Sequence, residues 1–315
     1  MRLESCSEGD WPALPCALQQ HPGYGRTVRQ MGGRAEMFRI MEGNADLGRV
    51  QVVCRRFGPV RVAWVGRGPV WKPGLSEGVR CAALAEVPAA LPGLTLLQPD
   101  DGTGADRLQA PVLMTAPSVA EIDLTEPSGT RMARQHGKWR NRLRRARGAG
   151  LIVRHRPLEP EADAALLAQE AAQRRARRYA ALPHPFLQHW AGHDRVDARL
   201  ITARAGGEVV AFMVLLLHAP VATYHIGWSG AEGRRVSAHH LMLWQASEWL
   251  ADRGYARLDL GTVDTESAPG LARFKIGSGA RIRTIGPTLL PLPRFLRRPS
   301  AVLRAFPLAI HRNHS

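Results

Sequence analysis

The sequence predicts an α/β protein of two similar halves in tandem, each with a mixed, mostly antiparallel sheet flanked by helices. Three observations carry this expectation. The chain of 315 residues has room for two domains of ordinary size. Hydrophobic residues make up 45% of it, a proportion that fits packed cores and not a disordered chain. Helical periodicities also alternate with short apolar runs closed by turn residues, in the order helices, hairpin, helix, strand in the second half. The first half, with helices followed by a hairpin, has the look of a degenerate copy.

In the first half, Trp11 to Gln19 is a helix candidate, closed by a turn at His21-Pro22-Gly23. Helical residues from Arg26 to Met31 end at Gly32-Gly33. Ala35–Met41 and Arg49–Arg56 have strand character, separated by a turn that begins at Glu42-Gly43-Asn44. A further strand, Val60–Val65, runs into Gly66-Arg67-Gly68-Pro69-Val70-Trp71. Asp100 to Gly104 is a polar loop, and Ala120–Leu124 is a short strand.

The second half opens on a basic helix from Arg131 to about Ala149, where Trp139, Leu143 and Ala146 at i, i+4 and i+7 form one apolar stripe. A second helix, about Glu161 to Ala181, carries Arg174, Arg175, Arg177 and Arg178. Strands follow at Ala198–Ala203, Val209–Leu217 and Ala222–Ile226, the first two joined by Ala205-Gly206-Gly207. Ser237 is placed to cap a helix that ends near Gly254, and Arg257–Leu260 is a last short strand. Val209–Leu217 is the longest apolar run, about half of what a membrane helix needs, so it is expected to be a buried strand. The expected division is 1–118 for a first, degenerate domain, 119–290 for a second, and 291–315 for a C-terminal segment.

Composition narrows the function. Cys6, Cys16, Cys54 and Cys81 show no metal or disulfide spacing and are expected to be incidental thiols. His239 and His240 are adjacent, which points them different ways on a helix, so no metal site is expected. The N-terminus lacks an apolar stretch behind a basic head, so a cytoplasmic protein is expected, with the inner membrane surface as its other station. A formal net charge of +16 and a pI near 11.1 point to an anionic partner, although an arginine-rich composition contributes.

Three separated motifs add specificity. Trp139-Arg140-Asn141-Arg142-Leu143-Arg144-Arg145-Ala146 opens the second half. Leu258-Asp259-Leu260-Gly261 leaves a strand, and Pro269 to Lys275 is followed by Ile276-Gly277-Ser278-Gly279. Arg67-Gly68-Pro69-Val70 lies in the first half. In this order and spacing the set resembles the FemAB-type transferases, in which a Tyr/Trp-Arg-Asn-x-Ile/Leu-Arg-x-Ala helix and a Phe-Lys-x-x-Phe-Gly motif bracket the second domain. It is also similar to the BioF2-like acetyltransferases. The resemblance covers about Pro12 to Pro291 and implies two GNAT-like acyltransferase domains in tandem. It departs at Ser278, where the family has an aromatic residue, which leaves the acceptor open.

Acyl transfer to an amine passes through a tetrahedral oxyanion, and a fixed cation within hydrogen-bond reach lowers that barrier. Lys275 is the candidate, and the family's motif lysine has the same implied role; the alternative is a salt bridge to a backbone terminus or to Asp259. Asp259 is the candidate proton acceptor, with Asp264, Tyr224 and His240 as rivals and a structural carboxylate as the bland alternative. No nucleophilic Ser or Cys motif is visible, so direct transfer is expected. Substrate-binding candidates are Arg67, Arg140, Arg144, Phe274, Tyr224 and Ser237, with weaker support for Arg26, Arg175 and Arg178. For the basic helix the alternative is a solvated outer face.

No tightly bound cofactor is expected. The stretch Arg234-Arg235-Val236-Ser237-Ala238 lacks the glycine pair with which a CoA-using GNAT approaches pyrophosphate, although a helix N-terminus remains there. The resemblance implies aminoacyl-tRNA as donor and an amine of a peptidoglycan precursor as acceptor; acyl-CoA with an amino sugar or small amine is the second expectation. The expected partner is therefore tRNA or a nucleotide- or lipid-linked cell-wall precursor. A basic RNA- or membrane-binding module without catalysis is the third. The tail from Pro291 to Ser315, with Phe295, Leu303 and Phe306 among arginines, is expected to pack on the first domain, a peripheral membrane contact being the rival.

Overall fold

The computed structural model describes residues 1–177, 179, 181–193 and 198–291, with the backbone alone for 192 and 193. The chain begins with β1 (Arg2–Ser5) and reaches α1 (Pro22–Gln30) through two 3-10 turns, Glu8–Asp10 and Leu18–Gln20. The expected helix from Trp11 to Gln19 is otherwise absent, because Pro12 and Pro15 deny it backbone donors. His21-Pro22-Gly23, read as a turn, is a helix start: Pro22 sits in the first turn and His21 Nδ1 accepts from the Gly23 N–H at 3.2 Å. The hairpin of β2 (Arg34–Glu42) and β3 (Ala45–Phe57) turns at Gly43, whose φ of 56° favours glycine. β4 (Val60–Gly66), β5 (Val70–Trp71), α2 (Glu77–Ala90), β6 (Leu94–Gln98) and β7 (Val112–Met114) complete the first half.

The second half runs β8 (Ser118–Asp123), α3 (Ser128–Arg134), α4 (Gly137–Arg147), β9 (Ile152–Pro157), α5 (Ala164–Arg177), α6 (His184–His193), β10 (Ala198–Ala205), β11 (Glu208–His218) and β12 (Val221–Ser229). It closes with α7 (Ala231–Arg235), α8 (Ala238–Ala251), β13 (Arg257–Thr262), α9 (Pro269–Gly277), β14 (Arg281–Thr284) and β15 (Thr288–Leu289). The single basic helix expected from Arg131 is two helices. They break at Gln135-His136, where the His136 N–H bonds to Gly277 O at 3.0 Å and His136 caps α4.

Two sheets result. The first has the order β1-β2-β3-β4-β6-β15-β7 with β5 alongside β3; the second has the order β14-β8-β13-β12-β11-β10-β9. The apolar run at 209–217 is the inner strand β11, and both of its faces are covered. Met213, Leu215 and Leu217 pack toward α4 and α8, whereas Phe212, Val214 and Leu216 pack toward α6 and Leu18. A strand covered on both faces has no polar side, which explains the unbroken run.

The halves exchange parts. Tyr24 and Val28 of α1 pack on the second half's core, with Tyr24 at 5.1 Å from the Phe186 ring. In return β15, from the end of the second half, joins β6 and β7 in the first sheet. The expected tail lies outside the described residues from 292 onward, as does Arg178. Among the described residues no helix is long and apolar enough to cross a membrane.

Candidate active site

The second sheet is open at one place. β12 and β13 run parallel and pair only at Val221↔Arg257, Ala222↔Leu258 and Thr223↔Asp259, then part. The cause is local on both strands. In β12 His225 is an extra residue, since Leu215 faces Tyr224 while Val214 faces Ile226; bulges of this kind bend a strand and end pairing. In β13 the pairing with β8 shifts between Asp259 and Thr262, around Gly261 at φ 76°. Beyond Thr223 and Asp259 the two facing edges no longer bond to one another. They form a wedge whose backbone groups are ready for a ligand.

Tyr224, Gly227, His239, Phe274 and Lys275 gather around this wedge. A Cβ on Gly227 would sit 2.1 Å from the Tyr224 Oη and 2.8 Å from His239 Nε2, so glycine is required there. The Phe274 ring lies 6.2 Å from that of His239 and 5.2 Å from that of His240. Burial holds both imidazoles neutral, with pKa values lowered to about 4. Burial likewise raises the Tyr224 phenol, helped by Tyr179 and Glu170, so it stays protonated.

Lys275 is 7% exposed, and its Nζ donates to Thr262 O at 2.8 Å, at the end of β13. Burial lowers its pKa to about 8, against the opposing pull of Asp259. The alternative in which Lys275 forms a salt bridge with Asp259 is not what the structure has; Asp259 is taken by Arg67. The Lys275 ammonium is thus a buried cation beside the wedge, bonded to a neutral carbonyl.

Two expectations are corrected at this point. Arg67, expected to bind substrate, is buried and satisfied by carboxylates: Nη1 lies 2.6 Å from Asp259 Oδ2, Nε 2.7 Å from Asp100 and Nη2 3.4 Å from Glu121. Burial disfavours its charge, but Asp259 and Asp100 more than compensate and raise its pKa. Its backbone is held at φ 51°, a left-handed conformation a branched or long side chain adopts only under constraint. Asp259, expected to accept a proton, is 1% exposed and has both oxygens occupied, by Arg67 and by the Gly261 N–H at 2.7 Å. Although burial opposes ionisation, Arg67 and the Gly261 bond lower its pKa, so Asp259 is a poor base. The pair is instead a clamp between the halves, extended by Arg283, which contacts Asp100 at 2.7 Å and Glu121 at 2.8 Å.

The remaining candidates divide. Trp139 does not touch the wedge but fixes α9: its Nε1 donates to Phe274 O at 3.1 Å, and its ring lies so close to Gly277 that a Cβ there would come within 3.0 Å. Arg140 donates to Ala133 O at 3.1 Å, tying α4 to α3, and Arg144 bonds Asn141 on the outer face, so neither is brought to the wedge. Arg142, passed over in the sequence, is the α4 arginine whose charge reaches His240. Ser237 does precede α8, but at φ 61° and without a side-chain capping bond, which corrects the expected cap. Just ahead of that helix end the Val236 and Ser237 N–H groups are taken by Glu232 O and Arg234 O of α7, and Arg235 pairs with Glu232. Arg26 pairs with Glu8 at 3.4 Å, away from the wedge, and Asp264 is an exposed turn residue whose pKa is lowered by bonds to Ser267. Ser278 is a buried cap of α9, its Oγ donating to Lys275 O at 2.6 Å.

Sequence reasoning missed Glu170. It is 0% exposed, receives the Tyr179 hydroxyl at 2.7 Å, and leaves Oε2 without a hydrogen-bond partner. An acidic residue amid the apolar positions of a basic helix was the available signal. Gln173 of the same helix donates to Gly227 O at 3.3 Å, so α5 closes over the wedge.

Residues 133–275 match the family model described as the acetyltransferase (GNAT) domain. The second half thus carries a GNAT-type acyltransferase domain, and the chain as a whole has a FemAB-type fold. Among solved structures, this acyltransferase is similar to FemX at 13% identity, with a TM-score of 0.70 and 90% of this chain and 95% of that chain covered. It is also similar to the C-terminal domain of a putative lysylphosphatidylglycerol synthetase from Agrobacterium fabrum (15% identity, TM-score 0.51, 84% and 85% covered). L-PGS from Bacillus licheniformis gives 14% identity, a TM-score of 0.50, and 84% and 90% covered. At these identities the likeness is one of fold. No curated protein matches the acyltransferase in sequence.

Proposed function

We propose that the acyltransferase forms an amide, with the activated acyl group seated in the wedge between β12 and β13 and Lys275 beside its carbonyl oxygen. The observation that carries this is the buried Lys275 ammonium, held by Thr262 O and not consumed by a carboxylate. The acceptor amine attacks the carbonyl carbon, and charge develops on the oxygen next to that cation. The bond to the donor oxygen then breaks, and the proton released by the amine ends on the leaving hydroxyl. With Asp259 engaged, Lys275 acts by charge; Phe274 and Tyr224 wall the acyl group.

The donor that fits best is an aminoacyl ester on tRNA, and the acceptor an amine of a peptidoglycan precursor, as the likeness to FemX suggests. The Val236 and Ser237 amides already taken ahead of α8 and the charge of +16 support a polyanionic donor over CoA. Acyl-CoA is the second reading, favoured by the acetyltransferase description of residues 133–275. Under either donor Lys275→Ala is expected to abolish turnover with the fold intact, and retained turnover removes Lys275 from the mechanism. Titration with charged tRNA and with CoA separates the donors. Binding of tRNA that weakens steeply with salt is expected; submicromolar CoA binding without it would overturn the donor.

A further inference from the structure

At the opposite end of the β12–β13 pair from the wedge lies a groove of about 590 Å³, bordered by His21, Arg199, His218, Trp249, Arg253 and Tyr255. A volume of this order holds a small organic ligand. Its chemistry is one-sided. The Arg199 and Arg253 guanidinium carbons lie 4.5 and 4.2 Å from the centre of the same Trp249 ring. Among the described residues neither arginine pairs with a carboxylate. Arg199 instead donates to His155 Nδ1 at 3.2 Å, and Arg253 to Trp249 O at 3.4 Å. Burial and the neighbouring Arg253 both lower the Arg199 pKa, and the two arginines together depress His155 after burial. Like charges crowded this way are stabilised by an anion placed between them.

A second observation is independent of the arginines. His218 is 2% exposed, its Nε2 shares a hydrogen bond with Thr223 Oγ1 at 2.8 Å, and its Nδ1 has no hydrogen-bond partner. Whichever way the proton lies in the bond to Thr223, Nδ1 is a buried ring nitrogen with no partner among the described residues. The groove therefore offers two guanidinium forks, a bordering imidazole with one unpaired nitrogen and an aromatic wall, a set that suits tetrahedral oxyanions bearing an organic group.

We propose that this groove binds a phosphate ester at a site separate from the acyl-transfer wedge. The assignment is independent of the reading given to the wedge. A soluble nucleotide and a phospholipid headgroup both present this chemistry, so two probes are needed: AMP followed by calorimetry, and phosphatidylglycerol vesicles followed by cosedimentation. At least one should bind wild-type protein saturably, and at least tenfold more weakly after Arg199→Gln or Arg253→Gln. Arg2→Gln, which removes the same charge elsewhere, and Lys275→Met should leave that binding within twofold of wild type. AMP binding alone assigns the site to a soluble ester; vesicle binding alone assigns it to a headgroup. Binding of neither probe, equal binding by both arginine variants and wild type, or binding lost in Lys275→Met overturns the proposal. Arg253 is exposed at the end of α8, so its variant keeps the test decisive if Arg199→Gln does not fold.

Discussion

Lys275 and Arg67 are both buried cations, and their surroundings give them opposite duties. Lys275 hydrogen-bonds a carbonyl and, among the described residues, is paired with no carboxylate, so its charge is available. As an oxyanion donor it should lose effect when deprotonated, so kcat is expected to fall as pH rises through about 8, read from a pH–rate profile. Replacement by Met should lower kcat by about 10²–10³. The stability effect has the other sign. A folded pKa of about 8 against 10.5 means that below pH 8 the folded state bears the full cost of burying the ammonium, about 3 kcal/mol, relieved as pH climbs toward 10.5. Lys275→Met should therefore keep or raise Tm at pH 7, and a marked drop in Tm would contradict a desolvated lysine. Arg67→Met should instead lose about 3–5 kcal/mol in denaturant melts, since it strands the Asp259 carboxylate. Asp259→Asn in the same chain should recover part of that loss.

Among the elements, the wedge depends on small residues more than on polar ones. Gly227→Ala places a methyl within 2.1 Å of the Tyr224 hydroxyl; kcat/KM should fall at least tenfold, with a stability loss of about 1–3 kcal/mol from overpacking. A Gly227→Ala protein with wild-type kinetics would place the acyl group elsewhere. What the sequence made legible follows from periodicity: β11 by its apolar run, α4 by its Trp139 stripe, α8 by a long amphipathic stretch. α9 was not legible as a helix because Pro269, Gly270, Gly277 and Gly279 surround it, yet the proline occupies the first turn of a helix. Lys275 and Phe274 could be singled out from their motif, whereas the fates of Asp259 and Arg67 could not. Their pairing spans 192 positions in the chain, a separation to which local pattern is blind. The pattern could flag Glu170 but not its surroundings, since Tyr179, His184 and Tyr224 meet it from outside its helix.

The whole molecule is held by parts lent in both directions. Leu289, 2% exposed, comes from the end of the chain yet belongs to the core of the first sheet. Leu289→Asp should therefore destabilise by at least about 3 kcal/mol and lower a single calorimetric transition, not one of two. A first transition that moves while a second stays fixed would mean that the halves melt independently. The mutual lending of α1 and β15 also bears on how the protein can be dissected. Cleaved between β7 and β8, each fragment would keep a bare apolar face that only the other can cover. Neither should be soluble by itself, while co-expression of the two should restore an active, noncovalent pair.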